Sequence, residues 1–170
     1  MDNRLIEEWF EQYEKDVTSY LVHYMGTMDV EDFVQETFLR ALRKTTTYKA
    51  SAHPKTWLIS IARNLVMDQY RRSKVWNKIR QVLLREQSYS VDMDQRIILN
   101  EEYRYLYKAI HRLSPSQREV IILRGIMEMS SKEASVVMKR SENNVNVMYH
   151  RSLKQLKSLL EMEGDEYGGI

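Results

Sequence analysis

Apolar side chains recur every three or four positions along most of the chain, the period of a helix that buries one face. The pattern runs over residues 3–25. After a short break it resumes at Asp29, a predicted N-cap, and ends near Lys44. It stops in the polar loop 45–54 and returns over residues 55–72. The sequence therefore predicts three amphipathic helices in its first half.

The second half begins with a weaker pattern. Residues 75–85 predict a short helix, and the polar, turn-prone residues 86–94 predict a flexible linker. Residues 95–160 then predict four more helices. Two of these open with capping boxes, at Ser114–Gln117 and at Ser130–Glu133, in which side chains satisfy the first backbone N–H groups.

These elements predict an all-α fold of two small helical domains joined by a flexible linker. Only five glycines and two prolines occur in 170 residues, which favours helices over a sandwich or barrel. We assign residues 1–74 to the first domain, 75–94 to the linker and 95–162 to the second domain. The acidic residues 163–170 are predicted to be a disordered tail.

Two helices of the second domain are close enough in sequence for a helix-turn-helix. They cover about residues 131–138 and 142–160, with a turn at Lys139–Ser141. Lys139 stands where such motifs usually have glycine, so the turn needs a left-handed lysine or another form. The alternative is a plain antiparallel helix pair. The second helix is predicted to expose Glu142, Asn143, Asn146, Tyr149, His150 and Arg151.

Charge is unevenly distributed along the chain. Residues 1–36 hold ten acidic and two basic side chains, whereas residues 37–95 hold four acidic and twelve basic ones. Residues 96–160 hold six acidic and twelve basic side chains. A polyanion such as DNA is repelled by the first block and attracted to the next two, which points to a protein partner for the first block. Ordinary solvated helix faces remain the alternative.

Three blocks of sequence carry a family resemblance. They are Asp29-Val-Glu-Asp-Phe-Val-Gln-Glu-Thr-Phe-Leu-Arg-Ala, Lys55-Thr-Trp-Leu-Ile-Ser-Ile-Ala-Arg-Asn-Leu and Leu113-Ser-Pro-Ser-Gln-Arg-Glu-Val-Ile-Ile-Leu-Arg, the last followed by the helix-turn-helix. In order and spacing the chain resembles the extracytoplasmic-function (ECF) sigma factors of bacteria over roughly residues 5–160.

This resemblance implies an alternative sigma factor that directs promoter recognition and transcription initiation. The first domain would bind the clamp of the largest subunit of core RNA polymerase and open the promoter −10 element. The second would read the −35 element as duplex DNA. The resemblance also implies a cytoplasmic protein without enzymatic activity, cofactor or small-molecule substrate. Control by an anti-sigma protein, often membrane-bound in this family, is implied as well.

The resemblance and the chemistry together suggest three sets of site residues. Acidic side chains suit a basic protein partner, asparagine can pair with an adenine edge, and arginine and lysine bind phosphates. The polymerase-docking candidates are Asp32, Gln35, Glu36 and Leu39. The −10 candidates are Tyr48, Lys49, Ser51 and His53 in the loop and Arg63, Asn64, Met67, Arg71 and Arg72 on the following helix. The −35 candidates are Ser141, Asn143, Asn144, Asn146, Val147, His150, Arg151 and Lys154.

Two details qualify these sets. Trp57 could wedge between bases, but it shares an apolar stripe with Ile61 and is predicted to be a core residue. Asn146 stands where many family members have lysine or arginine, and Asn144 replaces a usual threonine. The −35 sequence that this chain reads therefore need not be the family's common one.

Other chemistries find little support in the sequence. The chain has no cysteine and no glycine-rich phosphate loop, and its four histidines lack metal-ligand spacing, so we expect no metal site. Two alternative functions stay open from the residues alone. One is a stand-alone helix-turn-helix transcriptional regulator, and the other is a helical adaptor with no role at DNA.

Overall fold

The computed structural model describes residues 3–84 and 101–167, and the secondary structure assigned there is helical. This confirms the predicted all-α class. A 3₁₀ turn, Thr45–Thr47, follows the second helix, and a π-helical turn, Ile122–Ile126, continues the fifth. The helices are α1 (Asn3–Met25), α2 (Glu31–Lys44), α3 (Pro54–Leu84), α4 (Glu101–Arg112), α5 (Pro115–Ile121), α6 (Ser131–Met138) and α7 (Glu142–Tyr167).

Helices α1, α2 and α3 pack against one another through the predicted apolar stripes. Tyr20 and Leu21 of α1, Ala41 of α2 and Leu58 of α3 are fully buried. Trp57 is half-buried and packs against this core, with its ring 5.8 Å from that of Trp9 in an edge-on arrangement. Edge-on ring pairs add to the stability that burial provides. The prediction that Trp57 belongs to the core is confirmed.

The predicted capping boxes are both present. The side chain of Ser114 accepts from Gln117 N and that of Ser130 accepts from Glu133 N, with each reciprocal bond also formed. The expected N-cap at Asp29 is wrong, because α2 begins at Glu31 and its N-cap residue, Val30, makes no side-chain capping bond. The backbone N–H of Asp29 instead donates to Thr27 Oγ1 at 3.1 Å, within the turn before α2.

Helices α3 and α7 are longer than predicted. No glycine or proline interrupts residues 55–84, so the two helices predicted there form one, and residues 75–84 of the expected linker are helical. The rest of that linker lies outside the described residues. Helix α7 passes through Gly164 to Tyr167, so most of the expected tail is helical. A single glycine lowers helix stability by only about 1 kcal/mol and does not break a helix by itself.

The turn between α6 and α7 resolves the question that Lys139 raised. Its backbone is left-handed, with φ 54° and ψ 45°, and its N–H donates to the carbonyl groups of Ser135 and Val136. Val137 and Val145 are buried where the two helices cross. The structure therefore has the predicted helix-turn-helix, with lysine in the position that usually favours glycine.

The two halves of the chain share one hydrophobic core. Val120 of α5 and Ala134 and Val137 of α6 are buried in the same cluster as the core of α1–α3. A second, smaller cluster includes Ile110 and Leu156, where α4 packs on α7. The predicted domains are therefore packed against each other in this structure.

The left-handed Lys139 generates a stability prediction. Replacing it by glycine should raise the free energy of unfolding by about 1 kcal/mol, because glycine adopts this conformation without steric strain. The Lys139→Ala variant is the matched control, since it removes the same charge and keeps the Cβ that causes the strain. Chemical denaturation of the full chain measures both, and equal stability of the two variants would contradict the assigned backbone.

Candidate polymerase and nucleic-acid interfaces

The docking candidates lie on one face of α2. Asp32, Gln35, Glu36 and Leu39 follow the i, i+3, i+4, i+7 spacing that aligns side chains along a helix. Asp32, Gln35 and Leu39 are exposed, and Leu39 retains 48% of its accessible surface. An apolar side chain so exposed beside an acidic one has the composition of a protein-binding face.

Glu36 differs from the other three candidates. It is half-buried and accepts a hydrogen bond of 2.8 Å from Arg40 Nε, and Arg43 lies 4.0 Å away. The bond from Arg40 lowers the pKa of Glu36. Arg40 also lies 3.7 Å from Asp68 of α3. The charge of Glu36 is therefore largely compensated within the chain, and Asp32 is the docking candidate that presents its carboxylate outward.

An apolar groove lies next to this face, between α1 and α2. It is lined by Ile6, Phe10, Phe38, Leu39 and Leu42, among others. Phe10 is 41% exposed although its ring contacts that of Phe38 at 4.9 Å, and Leu42 is 36% exposed. Phe10 and Leu42 recur with the helical period of the apolar stripes, which predicts a buried position for both, so the sequence pattern alone does not reveal this groove. The groove extends the docking face from α2 onto α1.

The loop before α3 presents three of its four candidates to solvent. Lys49, Ser51 and His53 are exposed. Tyr48 is half-buried. Its hydroxyl donates to the carbonyl of Ala52 at 2.6 Å, and its ring packs 4.9 Å from that of Trp9. Tyr48 therefore anchors the loop to the core. The ring of His53 also packs 5.7 Å from that of Tyr13, and its Nδ1 accepts from Lys55 N at 3.3 Å, which leaves Lys49 and Ser51 as the exposed side chains without such contacts to the core.

The candidates on α3 divide into two groups. Arg71 and Arg72, towards the C-terminal half of the helix, are exposed, and Arg71 is paired with the neighbouring Asp68. Asn64 and Met67 are half-buried, and Met67 packs against the core. In this structure the outward cationic surface of α3 therefore lies at its later turns.

Arg63, the remaining α3 candidate, faces the second half of the chain. Its guanidinium binds the carboxylate of Glu119 on α5 through Nε to Oε1 and through Nη2 to Oε2, the latter at 3.3 Å. The side chains of Arg63 and Glu119 are only 17% and 3% exposed. Sequence reasoning assigned no role to Glu119. The available signal was a carboxylate immediately before the apolar run Val120–Leu123.

Burial dominates the electrostatics around this ion pair. It raises the pKa of Glu119, and the hydrogen bond and charge of Arg63 oppose that rise. Tyr24 lies nearby, and burial followed by the charge of Glu119 raises its pKa to about 12. Removing either partner would therefore leave the other charge buried without compensation, which would lower the stability of the fold.

The −35 candidates share the outer face of the helix-turn-helix. Asn143, Val147, His150, Arg151 and Lys154 are exposed along the first turns of α7. Asn144 is also exposed, whereas Asn146 is half-buried. The hydroxyl of Ser141 accepts from Asn144 N at 3.2 Å, so Ser141 caps the helix.

Tyr149, which was expected to be exposed on α7, is half-buried instead. It packs against the core, and the guanidinium of Arg124 lies 5.2 Å from its ring centre. That distance is within cation–π range, so Tyr149 helps to fix α7 on the preceding turn.

Residues 3–84 and 101–167 contain neither a metal-site cluster nor a membrane-spanning helix. No group of three or more histidine, aspartate or glutamate side chains there could hold a metal ion. No helix in the same ranges is long and apolar enough to cross a membrane.

Comparison with known proteins accounts for both halves of the chain. The family model for Sigma-70 region 2 matches residues 9–75, and that for Sigma-70 region 4 matches residues 103–156. The chain is 30% identical over 166 residues to SigX, an ECF RNA polymerase sigma factor of Bacillus subtilis, which covers 92% of this chain and 84% of SigX. It is 29% identical over 164 residues to SigM of the same organism, covering 91% of this chain and 94% of SigM.

Solved structures share this fold. The sigma factor RpoE from Bartonella quintana, in complex with the anti-sigma factor NepR, superposes with a TM-score of 0.75 at 23% identity, covering 91% of this chain and 96% of that one. CnrH, in complex with the cytosolic domain of CnrY, superposes with a TM-score of 0.70 at 23% identity, covering 95% of this chain and 90% of that one. The two alternative functions, a stand-alone regulator and an adaptor, do not explain why both sigma regions match in order. The chain belongs to the ECF family of RNA polymerase sigma factors, which direct transcription initiation.

Proposed function

We propose a division of labour among three surfaces of this sigma factor. The exposed face of α2 docks on the clamp of the largest subunit of core RNA polymerase. The loop 48–53 and the cations of α3 bind the opened −10 element, and the outer face of α7 reads the −35 element in duplex DNA. The observation that carries the proposal is that the acidic, apolar face and the cationic faces lie on different helices.

The docking role rests on the combination of charge and apolar surface. Asp32 presents a carboxylate that can pair with a basic partner, which speeds association and orients the complex. Leu39 and the groove beside Phe10 supply the apolar area that stabilises a protein interface once water is removed. Glu36 contributes chiefly by holding Arg40 in place.

The −10 role rests on the loop and on α3. Bases that leave the duplex are bound by polar protein groups that hydrogen-bond to the base edges, and the backbone of the strand is bound by cations. Ser51 and His53 are exposed hydrogen-bonding groups on a loop that Tyr48 fixes to the core. Arg72 and Arg71 lie further along α3, where they can contact phosphates of the same strand.

The −35 role rests on the order of side chains along α7. A recognition helix places its N-terminal residues over base edges, and those of α7 are Asn143 and Val147, with Asn146 partly accessible. Arg151 and Lys154 follow one to three turns later, where the phosphate backbone lies. The first side chains would supply sequence preference and the later ones general affinity.

The proposal includes no catalytic role, small-molecule substrate or cofactor for this chain. It places the protein in the cytoplasm, where the polymerase is. It also includes control by an anti-sigma protein, since both RpoE and CnrH are seen in complexes with a second protein, NepR and CnrY.

Charge reversal at Asp32 tests the docking surface. Asp32→Lys should weaken binding of the chain to core RNA polymerase at least tenfold, about 1.4 kcal/mol, because the variant places a like charge against a basic partner. Equilibrium binding of fluorescently labelled full chain to core enzyme gives the affinity. The matched control is Glu8→Lys, the same charge change at an exposed position of α1 that does not line the groove. Equal affinities of the two variants would contradict docking through α2.

Alanine substitutions on α7 test the reading of the −35 element. In run-off transcription with core enzyme and a randomised promoter library, Asn146→Ala should relax the preference at one −35 position by about 1–3 kcal/mol. Arg151→Ala should lower activity on all promoters alike and reduce the salt dependence of binding by roughly one ion. Gln155→Ala, an exposed and uncharged residue of α7 outside the assigned set, is the control. Unchanged promoter preferences in both test variants would contradict the assignment.

A further inference from the structure

One side chain of the helix proposed to read the −35 element has the opposite charge to its neighbours. Glu142 is the first residue of α7, and its side chain is exposed. Between positions 134 and 160 the sequence holds five lysine and arginine residues, and Glu142 is the only acidic one. DNA repels a carboxylate and attracts the surrounding cations. A carboxylate on this surface therefore lowers the affinity for DNA in general, unless a specific group on the DNA compensates for it.

The Glu142 carboxylate is held in place from the neighbouring helix. The hydroxyl of Ser131, the first residue of α6, donates to Glu142 Oε1 at 2.7 Å. The two residues are 11 positions apart, so the bond connects the first residues of both helices of the helix-turn-helix. It uses Oε1, and Oε2 remains as an acceptor for a further partner. Because a fixed side chain loses less freedom on binding, this bond prepares the carboxylate for a contact.

A simpler role for Glu142 is to stabilise its own helix. An acidic side chain in the first turn interacts favourably with the helix dipole. The capping bond of this turn is made by Ser141, however, whose hydroxyl accepts from Asn144 N at 3.2 Å. Glu142 accepts instead from a side chain of another helix. A role confined to helix stability predicts that a change at Glu142 affects all promoters alike, whereas a role in reading bases predicts that it affects some promoters and not others.

Glu142 adjoins the side chains proposed to meet base edges. Asn143, the next residue, is exposed, and Asn146 lies one turn further on and is half-buried. In a helix-turn-helix the N-terminal residues of the second helix are those that contact base edges in the major groove. The cations proposed to bind phosphates, Arg151 and Lys154, lie two or more turns later. The Glu142 carboxylate is therefore placed at the part of α7 that meets bases.

The major groove offers a carboxylate one well-matched base. A carboxylate only accepts hydrogen bonds. Cytosine presents a donor, its N4 amine, and no acceptor of its own beside it, whereas adenine places the acceptor N7 next to its N6 amine. Guanine and thymine present acceptor oxygens, which repel a carboxylate. A glutamate that reaches base edges therefore favours cytosine over the other three bases.

We propose that Glu142 selects a cytosine at one position of the −35 element by accepting a hydrogen bond from its N4 amine, and that Ser131 is a positioning residue that holds the carboxylate for this contact. This deepens the proposed −35 role of α7 and rests on it. The same carboxylate repels acceptor groups and phosphates on DNA that lacks this cytosine. Glu142 therefore raises the specificity of the protein and lowers its general affinity for DNA.

Run-off transcription by core enzyme with a limiting amount of the full chain, on a promoter library randomised over the −35 element, tests the selection. The unmodified protein should prefer cytosine at one position by ~10-fold. Glu142→Ala should lose this preference, and its activity on promoters without that cytosine should rise ~3-fold, because the repulsion is gone. The matched control, Glu161→Ala, removes the same charge from an exposed later position of α7 and should behave like the unmodified protein.

Two further substitutions separate base reading from a structural role. Glu142→Gln keeps the length of the side chain and adds a donor, so it can pair with both N6 and N7 of adenine, and the preference should move from cytosine to adenine at the same position. Ser131→Ala removes the bond that holds the carboxylate and should lower the cytosine preference ~3-fold. Ser131→Thr retains a hydroxyl and should retain the preference. If Glu142→Ala does not fold by circular dichroism, the glutamine variant still decides the question.

Removal of the amine from the DNA tests the contact itself. In one promoter the selected cytosine is replaced by 2-pyrimidinone, which lacks the N4 amine. The resulting loss of activity should be ~10-fold larger for the unmodified protein than for Glu142→Ala, because only the former has the carboxylate that the amine binds. An equal loss in both proteins would overturn the proposal.

Three results of the library experiment would also overturn it. They are the absence of a cytosine preference in the unmodified protein, a preference that survives in Glu142→Ala, and a loss of activity in Glu142→Ala on all promoters alike. Asn146→Ala and Arg151→Ala distinguish this failure from failure of the −35 role. If they alter promoter use and Glu142→Ala does not, the role of Glu142 alone is wrong. If none of the three variants alters promoter use, the −35 role of α7 is wrong as well.

Discussion

The buried contact between a guanidinium on α3 and a carboxylate on α5 constrains the whole molecule. Arg63 and Glu119 are removed from water together, so each is tolerable only while the other is present. The pair joins the two halves beside one hydrophobic core and gives the long helix α3 a charged partner in the second half. The packing of the two halves therefore depends on both side chains being present.

Burial and charge pairing also distinguish the proposed functional surfaces from one another. Docking to a protein requires exposed apolar area next to charge, which α2 and the groove beside Phe10 provide. Binding DNA requires exposed cations, and these include Arg72 on α3 and Arg151 and Lys154 on the outer face of α7. Among the described residues of the three proposed surfaces, Arg63 is the cation that the second half covers.

Local rules predicted much of this structure from the sequence. Helical periodicity gave the helices, the capping boxes at Ser114 and Ser130 formed as expected, and the turn at Lys139 proved left-handed. Some errors were local, namely the N-cap expected at Asp29 and the ends of α3 and α7. Others arose where tertiary contacts decide. Periodicity marks a residue as apolar-facing but does not say whether another helix covers it, which is why the exposure of Phe10 was missed. The role of Glu119 was missed because its partner lies 56 residues away.

The distance between the two halves of the free chain tests the account most directly. With one dye at an exposed position of α1 and another at an exposed position of α7, we expect a short distance, because Arg63 and Glu119 join the halves through a buried ion pair. A free chain whose halves are far apart would contradict the account.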